Sequence, residues 1–162
     1  MKSNITSKIL DYVVALGIIL TILVLIGTPL LLTALFKSHF SMVDSPLIWT
    51  VTICIYICAI PYILALFKVK TICHLIKKEN PFSFKIVKSL QIICICSFSE
   101  IITFSLTSIY LKYSIDFFEK TIIAPPILII SFICVTIGLL CMVLARLFER
   151  FIEIKEENDK TI

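Results

Sequence analysis

YVVALGIILTILVLIGTPLLLTALF, residues Tyr12–Phe36, runs for 25 positions without an Asp, Glu, Lys, Arg or His. As a helix rising 1.5 Å per residue it spans about 37 Å, enough to cross a hydrocarbon core of ~30 Å. Three more runs have the same character: Leu47–Phe67, Ser89–Leu111 and Thr121–Ala145. The second and fourth also lack every charged residue, and the third holds one, Glu100. The backbone in lipid must satisfy its own hydrogen bonds, so only helices or closed barrels can span. Barrel strands are segments of roughly ten residues that alternate in polarity. These runs are twice that length and do not alternate. The expected fold is an all-α integral membrane four-helix bundle with antiparallel spans and both termini cytoplasmic, a single membrane domain over residues 1–162.

Composition agrees. The chain is 59% hydrophobic, against roughly 45–50% for soluble domains, with a mean hydropathy of +1.07. Lys2 and Lys8 precede the first run, as in a signal peptide. Its apolar stretch is far longer than the usual h-region of roughly 7–15 residues, so a retained helix is expected.

Orientation follows from the placement of Lys and Arg. The N-terminal segment, the loop over residues 68–88 and the tail over residues 146–162 together carry twelve of them. The two remaining loops carry Lys37, Lys112 and Lys120. The lysine-rich side is the cytoplasmic one. The net charge of +4 is then a topology signal and a match to anionic head groups, and direct nucleic-acid binding is not expected. Trp49 opens the second span at the outer interface, where aromatic belts sit.

Both cytoplasmic segments carry helical patterning. Val69, Ile72, Cys73 and Ile76 recur at i, i+3, i+4 and i+7, with the lysines largely off that stripe. This predicts that helix two continues past the span until Asn80-Pro81 stops it. Ser83 is placed to cap the next helix. In the tail, Leu144, Leu147, Phe148, Phe151 and Ile152 make one stripe, while Glu149, Glu153 and Glu157 make another. The fourth helix is expected to extend as an amphipathic stalk. Lys77, Lys78 and Phe82 in the loop, with Glu153 and Glu157 in the tail, are the candidate partner-binding residues.

Glu100 is the main candidate for chemistry. It lies eleven residues from each end of its run, where a charged carboxylate costs ~2.5 kcal/mol or more. No basic residue within any run can pair with it. Cys96, Ser97, Thr103 and Thr107 share its helical face, and Tyr56 lies at a similar depth in the second span. Glu100, Ser97, Thr103 and Tyr56 form the candidate intramembrane polar site. Two readings stand. One is a neutral acid locking helix three to a neighbour. The other is a proton-, cation- or ligand-sensing carboxyl.

The seven cysteines form no C-x-x-C pair, and His39 and His74 are expected on opposite sides of the membrane. Convergent metal ligands are therefore not expected, and the thiols read as small buried apolar groups. No dinucleotide, P-loop, metalloprotease or nucleophile-elbow motif occurs. Catalytic residues, metal and cofactor are each expected to be none.

Lys78-Glu79-Asn80-Pro81-Phe82-Ser83, followed by Val87-Lys88-Ser89-Leu90, is similar to the Gly/Asn-x-Pro-Phe element of the bacterial domain of unknown function 2975. The four spans and the ending Glu156-Glu157-Asn158-Asp159-Lys160-Thr161-Ile162 resemble that family too, although Lys160 stands where the family has an apolar residue. The resemblance implies a small four-helix membrane protein with no activity to carry over. Members are often encoded beside a small helix-turn-helix regulator, which implies a cytosolic DNA-binding partner. The leading expectation is a regulatory or scaffold protein in the lipid bilayer that reports a membrane change to such a partner. The alternative is a small transporter or channel, as a homo-oligomer, coupled through Glu100. Immunity to a membrane-active peptide overlaps with the first.

Overall fold

The computed structural model describes residues 2–40, 45–77, 83–115, 118 and 122–160, and side chains for 9–38, 46–77, 83–115, 118 and 122–158. Among the described residues four long helices are set out: α1 (Lys2–Phe40), α2 (Ser45–Lys77), α3 (Phe84–Ser114) and α4 (Ala124–Lys160). Each contains a stretch long and apolar enough to cross a membrane: Ile9–Ser38, Pro46–Lys77, Phe84–Ser114 and Ala124–Asn158. The protein is all-α and multi-pass.

Every helix outruns the run that announced it. The 37 residues of α4 extend about 55 Å, well beyond a ~30 Å core. The expected extension of α2 is present as far as Lys77. Asn80-Pro81, with Lys78 and Phe82, lies outside the described residues. Ser83 does occupy the N-cap position of α3, in extended conformation. It caps through its carbonyl, which accepts from the Ile86 amide at 2.9 Å, and its hydroxyl is buried without a partner. Pro125 and Pro126 fall in the first turn of α4, where an amide has no intrahelical acceptor.

Among the described residues, helix contacts run α1–α2, α2–α3 and α3–α4. The helices thus form a row, with α1 and α4 at its edges. Packing is tightest where Ile86, Val87 and Leu90 of α3 meet Ala145 and Ile152 of α4, with Ile72 and Leu75 of α2 against them. There Ile86 is only 1% exposed. Asp11 of α1 joins this region through Lys77 of α2, at 3.5 Å. Elsewhere large apolar side chains point outward, among them Ile19, Leu23 and Leu30 of α1 and Leu128, Phe132 and Leu139 of α4. In water such a surface drives aggregation, whereas in a bilayer it is the lipid-contact surface.

The tail stripe divides in the folded chain. Cys141, Ala145, Phe148 and Ile152 face the α2–α3 side, while Leu144, Leu147 and Phe151 are exposed. A stripe of five apolar positions is wider than one helix–helix seam, so its flank stays outside the contact.

At Gly138 the Phe98 ring of α3 lies close against the α4 backbone. A Cβ there would sit 3.2 Å from Cε2 and Cζ of Phe98. At Gly17 a Cβ would meet nothing within 4 Å. Gly138→Leu should therefore wedge α3 from α4 and cost about 1–3 kcal/mol, read as a lowered thermal midpoint in detergent micelles. Gly17→Ala should leave that midpoint unchanged or raise it slightly, because alanine loses less backbone entropy in a helix.

Candidate functional site

In a span, a hydroxyl finds little to bond except the backbone of its own helix. Ser97 donates to the Ile93 carbonyl at 3.0 Å. Thr103 donates to the carbonyls of Ser99 and Glu100, both at 3.1 Å. Thr107 donates to the Thr103 carbonyl at 2.8 Å. The polar stripe of α3 thus closes on itself, turn by turn, and Glu100 is the member that does not. Its Oε2 is buried and has no hydrogen-bond partner.

Glu100 lines a cavity of about 430 Å³ between α2, α3 and α4. Its walls include Cys58, Ala59 and Tyr62 from α2, Phe104 and Thr107 from α3, and Ile130 from α4. Cys58 Sγ and Thr107 Oγ1 meet at 3.3 Å. Because Thr107 spends its hydrogen on its own helix, the Cys58 thiol is the natural donor in that contact. A second cavity, of about 490 Å³, is lined by Thr50, Ile57, Thr103 and Tyr110. Cys54 and Thr107 border both cavities, so a narrow α2–α3 seam divides them.

The four residues of the expected polar site are therefore not one constellation. Glu100 faces the first cavity and Thr103 the second. Ser97 is bonded within α3. Tyr56 turns to the other neighbour, where its hydroxyl donates to the Leu25 carbonyl of α1 at 3.0 Å. The reason lies four residues further along α1. Pro29 is inside that helix and has no amide to offer Leu25, so a carbonyl in the membrane interior is freed. Tyr56 supplies the missing donor. Pro29 was the signal in the sequence that could have assigned this role. The wall residues Cys58, Tyr62 and Ile130 had no such signal, since each reads as an ordinary apolar position.

Of the candidate partner-binding residues, Lys77 is paired with Asp11. That pair is partly exposed and contributes about 0–1 kcal/mol. Glu153 and Glu157 are exposed on α4. Among the described residues, no group of three or more His, Cys, Asp or Glu is placed to hold a metal ion.

A family model described as "Protein of unknown function (DUF2975)" matches residues 37–162. The chain is also 31% identical over 150 residues to the "Uncharacterized membrane protein YoaS" of Bacillus subtilis, a match covering 86% of this chain and 92% of that protein. No solved structure matches the chain.

Two outcomes follow from this geometry. Tyr56→Phe should cost about 1 kcal/mol, the usual size of an interhelical bond in a membrane. In a Pro29→Ala background the restored amide serves Leu25, so the same substitution should cost less than half as much; a double-mutant cycle on thermal unfolding measures the difference. Glu100→Leu should raise the thermal midpoint of the purified protein. It removes a buried unpartnered oxygen, a group whose burial costs about 1–3 kcal/mol. If Glu100 instead locked α3 to a neighbour, the midpoint would fall.

Proposed function

The chain belongs to the DUF2975 family, and from that premise we propose that it is a membrane-anchored adaptor holding a soluble protein at the cytoplasmic surface. In this reading the four spans are antiparallel and both termini are cytoplasmic. The twelve-to-three distribution of Lys and Arg supports that orientation. So does the pairing of Asp11, early in α1, with Lys77, at the end of α2. The packing of Ile86 and Val87, early in α3, on Ile152, late in α4, is consistent with it.

The observation that carries the proposal is the stalk of α4. The helix continues unbroken from the apolar stretch to Lys160. Its buried Ala145 and Ile152 anchor it on the neighbouring helices. Beyond that anchor Glu153, Glu156 and Glu157 are exposed. A cleft of about 410 Å³ between α3 and α4, lined by Gln91, Arg146 and Glu149 among others, adds polar groups in the same region. Over residues 153–160 the helix carries Glu153, Glu156, Glu157 and Asp159 against Lys155 and Lys160, and this acidic excess beside a polar cleft suits a partner with a basic face, such as a small DNA-binding regulator. A carrier would need a succession of polar groups across the membrane. Glu100 is the one acid or base within the four apolar runs, so the adaptor reading is favoured. It requires no catalytic step.

Deleting Glu153–Ile162 should release the partner in a mild-detergent pull-down from native membranes, with the protein still in the membrane fraction. Reversing both charges, Glu153→Lys with Glu157→Lys, should weaken retention by about tenfold or more, since like charges then face each other. Unchanged retention in both variants would remove the stalk from the mechanism.

A further inference from the structure

The cavity at Glu100 imposes three conditions on anything that fills it. Its volume, about 430 Å³, falls within the range of small-molecule sites. Its walls are mostly apolar, with Ile55, Ala59, Phe104, Leu111 and Ile130 among them. Its one carboxyl, that of Glu100, presents a buried, unpartnered Oε2. The nearby hydroxyl of Thr107 is already engaged with the α3 backbone and with Cys58. The four apolar runs contain no Lys, Arg or His. The hydroxyls of Tyr62 and Ser108 also line the cavity, yet Oε2 is bonded by neither, so a ligand from the bilayer can supply both a donor and a counter-charge.

We propose that this cavity binds a single-chain lipophilic primary amine, with the nitrogen on Glu100 and the hydrocarbon against Ala59, Phe104 and Ile130. An amine suits the site better than an alcohol because it matches the carboxyl in both of its proton states. An ammonium donates to the carboxylate and neutralises it; a free amine accepts from the neutral acid. In either state no net charge is left in a medium where isolated charge is costly. The amine partitions into the bilayer and enters between the helices, which stand in a row and so leave this region open to lipid. The site is independent of the stalk of α4, so the proposal stands or falls separately from the adaptor reading.

The test uses full-length protein in dodecyl maltoside micelles and three probes of equal chain length: dodecylamine, 1-dodecanol and dodecyltrimethylammonium. Dodecanol has a donor without charge, and dodecyltrimethylammonium has charge without a donor. Dodecylamine should raise the thermal midpoint of the wild-type protein by several degrees, as a ligand of the folded state does, and the other two should not. Glu100→Gln should abolish the shift. Ile130→Trp, which fills the cavity from α4 and keeps the carboxyl, should abolish it too, and it decides the matter if the first variant does not fold. The absence of a shift in the wild type, an equal shift with dodecanol or dodecyltrimethylammonium, or a shift that survives either substitution would overturn the assignment.

Discussion

The hydrocarbon core accepts no open hydrogen bond, and most of this structure answers that single constraint. Helices close their backbones internally. The span hydroxyls follow the same logic: Thr21 bonds the Gly17 carbonyl, Thr28 bonds Val24, Thr52 bonds Ile48 and Thr136 bonds Phe132. Thr52 is fully buried in the α1–α3 stretch of the row, yet it needs nothing from another helix. Where proline breaks the ladder at Leu25, a side chain from the next helix closes it. Against this background the open oxygen of Glu100 stands out as a buried, unpartnered carboxyl oxygen in the middle of a span.

Packing is uneven along the helices, and the two proposed roles fall on different parts of it. In one region Ile86, Val87, Leu90, Ala145 and Ile152 interlock, and the stalk of α4 leaves the molecule from that firm base. In the other, Cys58 and Thr107 meet across α2 and α3, and Cys54 and Thr107 border a cavity on either side. A tight base suits a surface that must hold its shape for a partner. A thin seam with adjoining space suits a site that takes up something from the bilayer. Gly138 belongs to the first kind of contact, since its missing side chain lets Phe98 lie against α4.

Reading the chain as a linear pattern recovered the spans, because length and the exclusion of charge are one-dimensional properties. It also recovered the continuation of α2 and α4, because an amphipathic stripe persists past the apolar run. The N-cap position of Ser83 was legible for the same local reason, although the capping atom proved to be the carbonyl. The polar site was only half legible. Glu100, Ser97 and Thr103 do share one side of α3, but Ser97 is satisfied within its own helix and Tyr56 serves a different neighbour. The tail stripe was visible as a whole, and its division into a packed half and an exposed half was not.

By itself the sequence determined that this is a four-span membrane protein, where its lysines gather, and that one carboxyl lies mid-span. Those follow from the energy of each residue in lipid or water, which depends on the residue alone. Only the tertiary structure decided that, among the described residues, α1 meets α2 and not α4, that Tyr56 repairs the gap left by Pro29, and that Glu100 opens into an apolar cavity. Lipid is as apolar as the face of a neighbouring helix, so hydrophobicity does not choose a partner within the membrane. Shape and the few polar groups make that choice, and both become defined only when the helices are side by side.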